Sequence, residues 1–349
     1  MLNPIVAFLI MPLAPLWFYG DIVGGVAEKN EISKTEISCQ QGGFCGLAEN
    51  DGASGYEEKS FFRNDVFPIN SVAASGLIPT RKEGVLDLKV WAGSSVVIDV
   101  DTGTIIHYDE GRKWTQIASL TKMMTAILVM ENVKDMGEEV VLTKEDLNVV
   151  GTVVGCPTSV FCNSNRMYVG EKVRVEDLMK AMLLNSANDA ATALARHVGG
   201  THKGFVDMMN EKAVSMGLKD TNFCTPSGLE IDGKEDQCYS SAYDIARIAA
   251  YSFKYGKIWD IMKIPEGRFY STDGRYMHEL KNTDILLNDL PNCIGGKTGF
   301  TPLAGKSLLL GAEDPAGKHK IIAVLLNDEN RWDDMRTLVN WTFDNHRWQ

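Results

Sequence analysis

Two hydrophobic patterns follow one another along the chain after about residue 85. Runs rich in β-branched and aliphatic residues predict buried strands, which cover residues 94–100, 105–108, 307–311 and 321–326. Apolar residues that recur at helical spacing predict helices, which cover residues 119–133, 175–197, 242–253 and 333–343. Strands therefore flank a mostly helical middle.

This order of elements predicts an α/β (α+β) domain. The simplest closure is one central antiparallel sheet in which the N-terminal and C-terminal strands are neighbours. Helices would pack on both faces of that sheet and would form an all-helical subregion beside it. Such a domain is large enough to bury an active site.

The first residues of the chain have the pattern of an export signal. Residues 5–19 are apolar and are interrupted only by Pro12 and Pro15, which is too short a run to cross a bilayer as a helix. Small residues precede a possible cut after Ala27. We expect residues 1–27 to be a signal peptide or, if they are not removed, an N-terminal anchor. Either alternative places the rest of the chain outside the cytoplasm.

The stretch that follows lacks any sustained periodicity. Residues 28–84 are rich in Gly, Ser, Asn, Asp and Glu, a composition typical of a linker. We predict a low-complexity tether over 28–84 and a catalytic domain over 85–349.

Composition narrows the class of protein further. The chain has 349 residues, of which 44% are hydrophobic and 23% charged, so wholesale disorder is excluded. Its 35 Lys and Arg residues against 46 Asp and Glu residues give a net charge of −11. Because such a surface repels phosphate backbones, we expect no nucleic-acid partner.

The seven cysteines suit an exported protein. Two short loops with five residues between their cysteines, 39–45 and 156–162, indicate local disulfides. A metal site is the alternative interpretation, but no histidine lies beside either loop. Pairing of Cys224 with Cys238 would leave Cys293 free.

Several common catalytic patterns are missing from the sequence. It contains neither a Gly-x-Ser-x-Gly segment nor a His-Glu-x-x-His segment. None of its six histidines stands in a pattern that indicates a histidine-dependent serine hydrolase. We expect no metal and no cofactor.

Three short segments carry the candidate chemistry: Ser119-Leu-Thr-Lys122, Ser186-Ala-Asn188 and Lys297-Thr-Gly299. Residues three apart lie on one helical face, so the Lys122 amine can reach the Ser119 hydroxyl. A lysine can activate a serine nucleophile when burial or a neighbouring cation lowers its pKa. A serine in the first helical turn also has free backbone N–H groups near it. Each segment alone is weak evidence, but their order is informative.

The ordered triple resembles the active-site-serine, penicillin-binding family, and its flanks resemble the low-molecular-mass D-alanyl-D-alanine carboxypeptidases. The similar flanks include Ala118 to Ala126, Ser186 to Ala191, Gly296 to Thr301, Thr225-Pro-Ser-Gly-Leu229 and Asp244-Ile-Ala246. The resemblance covers about Trp91 to Phe343. It implies the fold shared by serine β-lactamases and penicillin-binding transpeptidases.

The resemblance also implies catalytic roles. Ser119 would attack the penultimate D-alanine carbonyl and form an acyl-enzyme, with Lys122 as the general base. Ser186 would relay a proton to the leaving amine, and Asn188 would hold Lys122 and the substrate backbone. The backbone N–H groups of Ser119 and Phe300 would form the oxyanion hole.

A second set of residues would bind the substrate carboxylate. Lys297 adds positive charge, Thr298 would hydrogen-bond the carboxylate, and Gly299 completes the motif. Arg331 stands where the family places a carboxylate-binding arginine. The implied partners are peptidoglycan stem peptides ending in D-Ala-D-Ala and β-lactams, which would acylate Ser119. Membrane contact is expected only through an uncleaved N-terminal segment, because the family's C-terminal β-domain and membrane helix have no counterpart here.

Three alternatives remain open. A class A β-lactamase shares the fold and two motifs, but its second motif is Ser-Asp-Asn, and Ala187 stands in the middle position here. A penicillin-binding sensor would acylate and turn over slowly. An endopeptidase would cut cross-linked peptides, whereas Lys297, Thr298 and Arg331 favour a free C-terminus and hence a carboxypeptidase.

Overall fold

The computed structural model describes residues 77–156, 162 and 165–349. The predicted signal segment, most of the tether and the Cys39–Cys45 pair lie outside these residues. None of the helices within the described residues is both long and apolar enough to span a membrane.

A five-stranded sheet forms the centre of the fold. Its strands are β2 (Ser94–Asp99), β3 (Ile105–Asp109), β8 (Cys293–Thr301), β9 (Gly305–Glu313) and β10 (Lys320–Leu326). They are ordered β3–β2–β10–β9–β8, and every neighbouring pair is antiparallel. The first and last strands of the sequence pattern, β2 and β10, are direct neighbours. The predicted sheet and α+β class are therefore confirmed.

Alternation along the strands gives the sheet two apolar faces. Val96 and Val324 belong to the large core formed with most of the helices. Val97 and Leu325 belong to a smaller core formed with the C-terminal helix. Because both faces are buried, the sheet lies between helical layers, as the sequence predicts.

The helices surround this sheet. They are α1 (Lys122–Asn132), α2 (Lys144–Leu147), α3 (Val175–Leu184), α4 (Asn188–Gly199), α5 (His202–Ser215), α6 (Ala242–Ser252), α7 (Gly256–Met262), α8 (Leu286–Asp289) and α9 (Arg331–Asn345). Two short 3₁₀ turns cover Ala118–Thr121 and Glu235–Gln237.

The prediction of one helix over 175–197 is wrong. The chain forms α3 and α4, which are separated by Asn185, Ser186 and Ala187. Ser186 has a φ of 57°, a left-handed conformation that an α-helix does not contain. Since the residues around the break are helix formers, their periodicity does not reveal it.

Three small two-stranded sheets lie around the central one, and the sequence analysis missed all of them. They pair β1 (Pro79–Arg81) with β11 (His346–Trp348), β4 (Glu139–Val141) with β5 (Lys172–Arg174), and β6 (Glu266–Tyr270) with β7 (Met277–Lys281). Because β1 is paired with the C-terminal strand, Pro79–Arg81 belong to the folded domain although the prediction assigns them to the tether.

Two of the predicted disulfides are confirmed. Cys156 is bonded to Cys162, and Cys224 is bonded to Cys238. Cys293 has a free thiol.

Candidate active site

Ser119 lies in a tight turn at the start of α1. The 3₁₀ turn Ala118–Thr121 leads directly into Lys122, and Ala118 adopts a φ of 47°. Ala118 and Leu120 are buried, whereas Ser119 is partly exposed. The turn therefore leaves one hydroxyl partly exposed at the N-terminal end of a helix.

Lys122 lies at the centre of the site and is completely buried. Its Nζ lies 2.7 Å from Ser119 Oγ, 2.8 Å from Asn188 Oδ1 and 2.7 Å from the Ser227 carbonyl oxygen. The amide and carbonyl oxygens can only accept hydrogen bonds. A neutral amine would donate to both of them and direct its lone pair at the Ser119 hydroxyl. The arrangement thus suits a lysine that acts as a base.

The environment favours that neutral form. Burial lowers the pKa of Lys122 well below its ordinary value, and the positive charge of Lys297 lowers it further. The nearby Asp189 opposes both effects. The balance therefore favours the neutral amine, which is the form that can accept a proton.

The segment 225–229 contacts Lys122 and α1 through its backbone carbonyl groups. Thr125, on α1, donates a 2.7 Å hydrogen bond from its hydroxyl to the Pro226 carbonyl. Gly228 has a φ of 84°, and a Cβ built on it would lie 1.9 Å from the Ala118 carbonyl oxygen. Only glycine fits this close approach. The sequence resemblance includes the segment, but sequence reasoning gave Ser227 and Gly228 no role.

The break between α3 and α4 supplies the second motif. Lys297 Nζ lies 2.9 Å from Ser186 Oγ, so the left-handed turn brings this hydroxyl to the third motif. Asn188 Nδ2 donates a 2.7 Å hydrogen bond to the Val150 carbonyl, which turns its Oδ1 toward Lys122. The two side chains of the motif thus contact different lysines.

Asp189, also missed by sequence reasoning, fixes the loop beside this motif. Its carboxylate is buried, and both oxygens lie 3.2 Å from the backbone nitrogen of Val154. Burial raises its pKa to about 6. Because the Val150 carbonyl in the same loop holds Asn188, Asp189 positions the second motif indirectly. Its only signal in the sequence is its place directly after Asn188.

The third motif lies within a strand. Lys297, Thr298 and Gly299 belong to β8, which is an edge strand of the central sheet. A Cβ on Gly299 would lie 2.9 Å from the Ile117 carbonyl oxygen, so a glycine here lets β8 pack against the Ser119 turn. The next residue, Phe300, is 61% exposed and lies at the rim of the site.

The polar groups of β8 form hydrogen bonds within the strand and with Thr283. Lys297 Nζ donates to the Thr298 carbonyl at 2.9 Å, and the hydroxyls of Thr298 and Thr283 are 2.7 Å apart. Burial lowers the pKa of Lys297 to about 7, the charge of Arg331 contributes, and Asp284 opposes the shift. Lys297 is therefore charged in slightly acidic solution and loses its charge as the pH rises through 7.

Arg331 begins α9 and reaches the same strand. Its Nη1 donates to the Gly299 carbonyl at 3.1 Å and to the Ser307 carbonyl at 3.3 Å. Its Nε is buried without a hydrogen-bond partner among the described residues.

The structure therefore brings all three sequence motifs into one site. Within the described residues, no group of three or more His, Cys, Asp or Glu side chains is placed to hold a metal ion.

Comparison with known proteins agrees with this geometry. Residues 81–330 match the family model described as D-alanyl-D-alanine carboxypeptidase. The chain is 31% identical to the D-alanyl-D-alanine carboxypeptidase DacD of Escherichia coli over 79% of its own length and 68% of that protein. It is 34% identical to the D-alanyl-D-alanine carboxypeptidase DacF of Bacillus subtilis, over 67% of its own length and 57% of that protein.

A solved structure has the same fold. Penicillin-binding protein D2 of Listeria monocytogenes, in its ampicillin-bound form, superposes with a TM-score of 0.62 at 28% identity. The superposition covers 74% of this chain and all of that one.

Proposed function

This chain belongs to the D-alanyl-D-alanine carboxypeptidase family of hydrolases, and we propose that it removes the terminal D-alanine from peptidoglycan stem peptides through an acyl-enzyme on Ser119. The observation that carries this proposal is the contact of 2.7 Å between Lys122 Nζ and Ser119 Oγ. The family match favours this function over that of a class A β-lactamase.

In the acylation step, Lys122 takes the proton of the Ser119 hydroxyl as Oγ attacks the carbonyl carbon of the penultimate D-alanine. The lone pair of a neutral Lys122 already faces that hydroxyl. The negative charge that develops on the carbonyl oxygen would be stabilised by the backbone N–H groups of Ser119 and Phe300. The tetrahedral intermediate then loses the terminal residue.

The leaving amine needs a proton when the amide bond breaks. We assign this step to Ser186, and the distance of 2.9 Å between its Oγ and Lys297 Nζ supports the assignment. The proton would pass from the lysines through the Ser186 hydroxyl to the amine, so D-alanine leaves as a neutral amine. Asn188 keeps Lys122 in place during this transfer.

Recognition of a free C-terminus rests on the cationic side of the site. The Thr298 hydroxyl and the Arg331 guanidinium would contact the substrate carboxylate. The charge of Lys297 adds to the attraction. A substrate that lacks the carboxylate would lose these contacts, which makes it a poorer ligand.

Water completes the reaction by attacking the acyl-enzyme carbonyl, with Lys122 again taking the proton. The ester bond to Ser119 Oγ breaks, and the shortened peptide leaves with a new carboxylate. A β-lactam would acylate the same serine. Because its opened ring stays attached, it keeps its own leaving amine in the cleft, so the acyl-enzyme would persist.

We also place the activity outside the cytoplasm. The disulfides Cys156–Cys162 and Cys224–Cys238 need an oxidising compartment, and the apolar segment 5–19 has the pattern of an export signal. Intact mass of the exported protein tests the cleavage, because a retained segment adds residues 1–27.

The test of the function is D-alanine release from a stem peptide ending in D-Ala-D-Ala, with Ser119→Ala alongside. Release by the parent and not by the variant is expected. If the parent releases no D-alanine while labelled penicillin still acylates Ser119, the protein is a slowly turning-over sensor or an endopeptidase. Covalent labelling of Ser119→Ala would show that the nucleophile is wrong.

A further inference from the structure

A histidine and a glutamate form a buried pair that the proposed mechanism does not use. His278 lies on β7, and Glu171 directly precedes β5. The distance between His278 Nε2 and Glu171 Oε1 is 2.7 Å, and both side chains are buried. Because burial removes two ionisable groups from water, each depends on the other for its hydrogen bonds.

The hydrogen bonds of the pair indicate where its protons are. His278 Nδ1 lies 2.9 Å from the Asn165 carbonyl oxygen, which can only accept, so Nδ1 donates. A carboxylate oxygen also only accepts, so Nε2 donates to Glu171. The other oxygen of Glu171 accepts a 2.9 Å hydrogen bond from the Tyr168 backbone. With hydrogen on both ring nitrogens, His278 is an imidazolium.

The surroundings of His278 favour this charged form. Burial lowers the pKa of His278, but its hydrogen bonds to Glu171 and to the Asn165 carbonyl outweigh that effect. The negative charges of Glu171 and Asp189 act in the same direction, so the pKa lies above its ordinary value. The ring of Phe269, on β6, packs against the imidazole with 4.7 Å between the centroids.

Other charged groups on the surrounding elements have partners of their own or lie on another face. The pairs on α3 are Asp177 with Lys180 at 2.8 Å and Glu176 with Lys257 at 3.2 Å. The residues on the opposite face of the β6–β7 hairpin are Glu266, Arg268, Glu279 and Lys281. In the loop before β5, Arg166 acts on Asp189. The charges that act on His278 are therefore those of Glu171 and Asp189.

The pair anchors one half of what we call the disulfide loop, which comprises the described residues 150–156, 162 and 165–171. His278 binds this half through the Asn165 carbonyl, and Glu171 binds it through the Tyr168 backbone. The Cys156–Cys162 bond joins it covalently to the other half. A displacement of one half is therefore transmitted to the other.

The other half of the disulfide loop holds the second catalytic motif. Asn188 donates a 2.7 Å hydrogen bond from Nδ2 to the Val150 carbonyl and another, also of 2.7 Å, from its backbone to the Thr152 carbonyl. Asn188 Oδ1 lies 2.8 Å from Lys122 Nζ. Movement of this half would therefore move the group that orients the general base.

We propose that His278 and Glu171 are positioning residues for the acylation of Ser119, and that they act only while His278 is protonated. The protonated pair holds one half of the disulfide loop, and the disulfide fixes the other half. Asn188 then keeps Lys122 directed at Ser119. This inference rests on the proposed function, because it concerns the same acylation step.

The direction of the pH effect follows from the count of donors. A neutral imidazole has one N–H for two acceptors, so the Asn165 carbonyl or the Glu171 carboxylate would lose a buried hydrogen bond. Because the pKa of His278 is raised in the folded protein, the contribution of the pair is complete below about pH 6.5. It is lost as the pH rises through the folded pKa, so acylation should slow on the alkaline side.

Glu171→Gln separates the proton from the hydrogen bonds. The amide oxygen of glutamine can accept from the Tyr168 backbone, and its NH₂ group can donate to the unprotonated Nε2 of a neutral His278. This variant therefore keeps both contacts without the extra proton. Glu171→Ala removes both contacts. The matched control is Glu138→Gln, which alters a more exposed pair in which Glu138 lies 3.2 Å from His197.

The test measures how fast a fluorescent penicillin labels the full-length proteins from about pH 6 to about pH 9. Relative to Glu171→Gln, the parent and Glu138→Gln should slow about fivefold over this range. Glu171→Ala should label about tenfold more slowly than the parent at about pH 6. Lys297 also titrates in this range, but it is common to all four proteins, so its effect cancels in the ratio of rates.

Urea unfolding of the same proteins separates positioning from stability. A Glu171→Ala protein that is less stable but labels at the parent rate would show a structural role only and would overturn the proposal. A ratio of parent to Glu171→Gln rates that stays constant with pH would also overturn it, and this comparison decides even if Glu171→Ala does not fold. A parent that is not labelled at any pH would overturn the proposed acylation of Ser119 and, with it, this inference.

Discussion

Lys122 and Lys297 are both completely buried in one site, and after burial itself the charge of Lys297 is the main cause that lowers the pKa of Lys122. One cation thus helps to keep a neighbouring amine neutral. Lys122 can accept the proton of Ser119 only in that neutral form, so the pair connects substrate attraction to nucleophile activation.

Lys297→Met is expected to shift the acid limb of the acylation profile to higher pH, by about one unit. Without the second positive charge, protonated Lys122 is less disfavoured, so its pKa rises. The effect should be largest below the Lys297 pKa of about 7, where Lys297 is charged in the parent. Rates of covalent labelling by a fluorescent penicillin across pH measure it. Lys318→Met, in an exposed turn, is the control, and an unmoved limb in Lys297→Met would contradict the coupling.

Gly228→Ala is expected to lower the free energy of unfolding by about 4 kcal/mol or more and to slow penicillin labelling. The added Cβ would overlap the Ala118 carbonyl and displace the turn that carries Ser119. Gly233→Ala is a matched control, because Gly233 also has a positive φ, of 74°, but has open space around it. Urea unfolding and labelling rates compare the two. Similar losses in both variants would show that backbone conformation, and not the close approach, decides the effect.

Ser186→Ala should slow D-alanine release about 10²- to 10⁴-fold, which is the usual contribution of a positioned proton donor. Stability should change little, because alanine meets the same backbone constraint at a φ of 57° as serine does. Ser252→Ala removes another buried hydroxyl, one that bonds the Ala249 carbonyl on α6, and should leave the rate unchanged. A Ser186→Ala enzyme with normal turnover would remove this serine from the proton path.

Removal of the Cys224–Cys238 disulfide by substitution of both residues with serine is expected to cost about 3 kcal/mol of unfolding free energy. The bond anchors the start of the segment whose Ser227 carbonyl holds Lys122, so labelling of Ser119 should slow as well. Cys293→Ser, which removes a free thiol, should change neither quantity. Chemical denaturation and penicillin labelling test both effects, and a loss of stability with unchanged labelling would separate the bond from the site.

The sequence predicts the sheet well because its strands are buried runs with a clear composition. Val96 to Ile98 and Ile321 to Leu326 are apolar on both faces, and no other element competes for such a pattern. The short strands β4, β5, β6 and β7 have three to five residues. Their stability comes from tertiary pairing, which periodicity does not report.

The candidate site also contains features that the sequence predicts and features that it misses. Motif spacing identifies five side chains of the site, because the residue type determines the functional group. They are Ser119, Lys122, Ser186, Asn188 and Lys297. It does not identify the carbonyl of Ser227 or the conformation of Ser186. Every residue has a carbonyl, and a left-handed φ at serine has no signature in composition. These two backbone features therefore became visible only with the fold.

The pairing of β1 with β11 has a topological consequence. Ile78 and Gln349 exchange backbone hydrogen bonds of 3.0 and 3.2 Å, so the described chain nearly closes into a ring. A circular permutant that joins these ends by a short linker and opens the exposed turn 315–318 should keep the fold. Arg331 would then precede Ser119 in the sequence and still lie beside the Gly299 carbonyl.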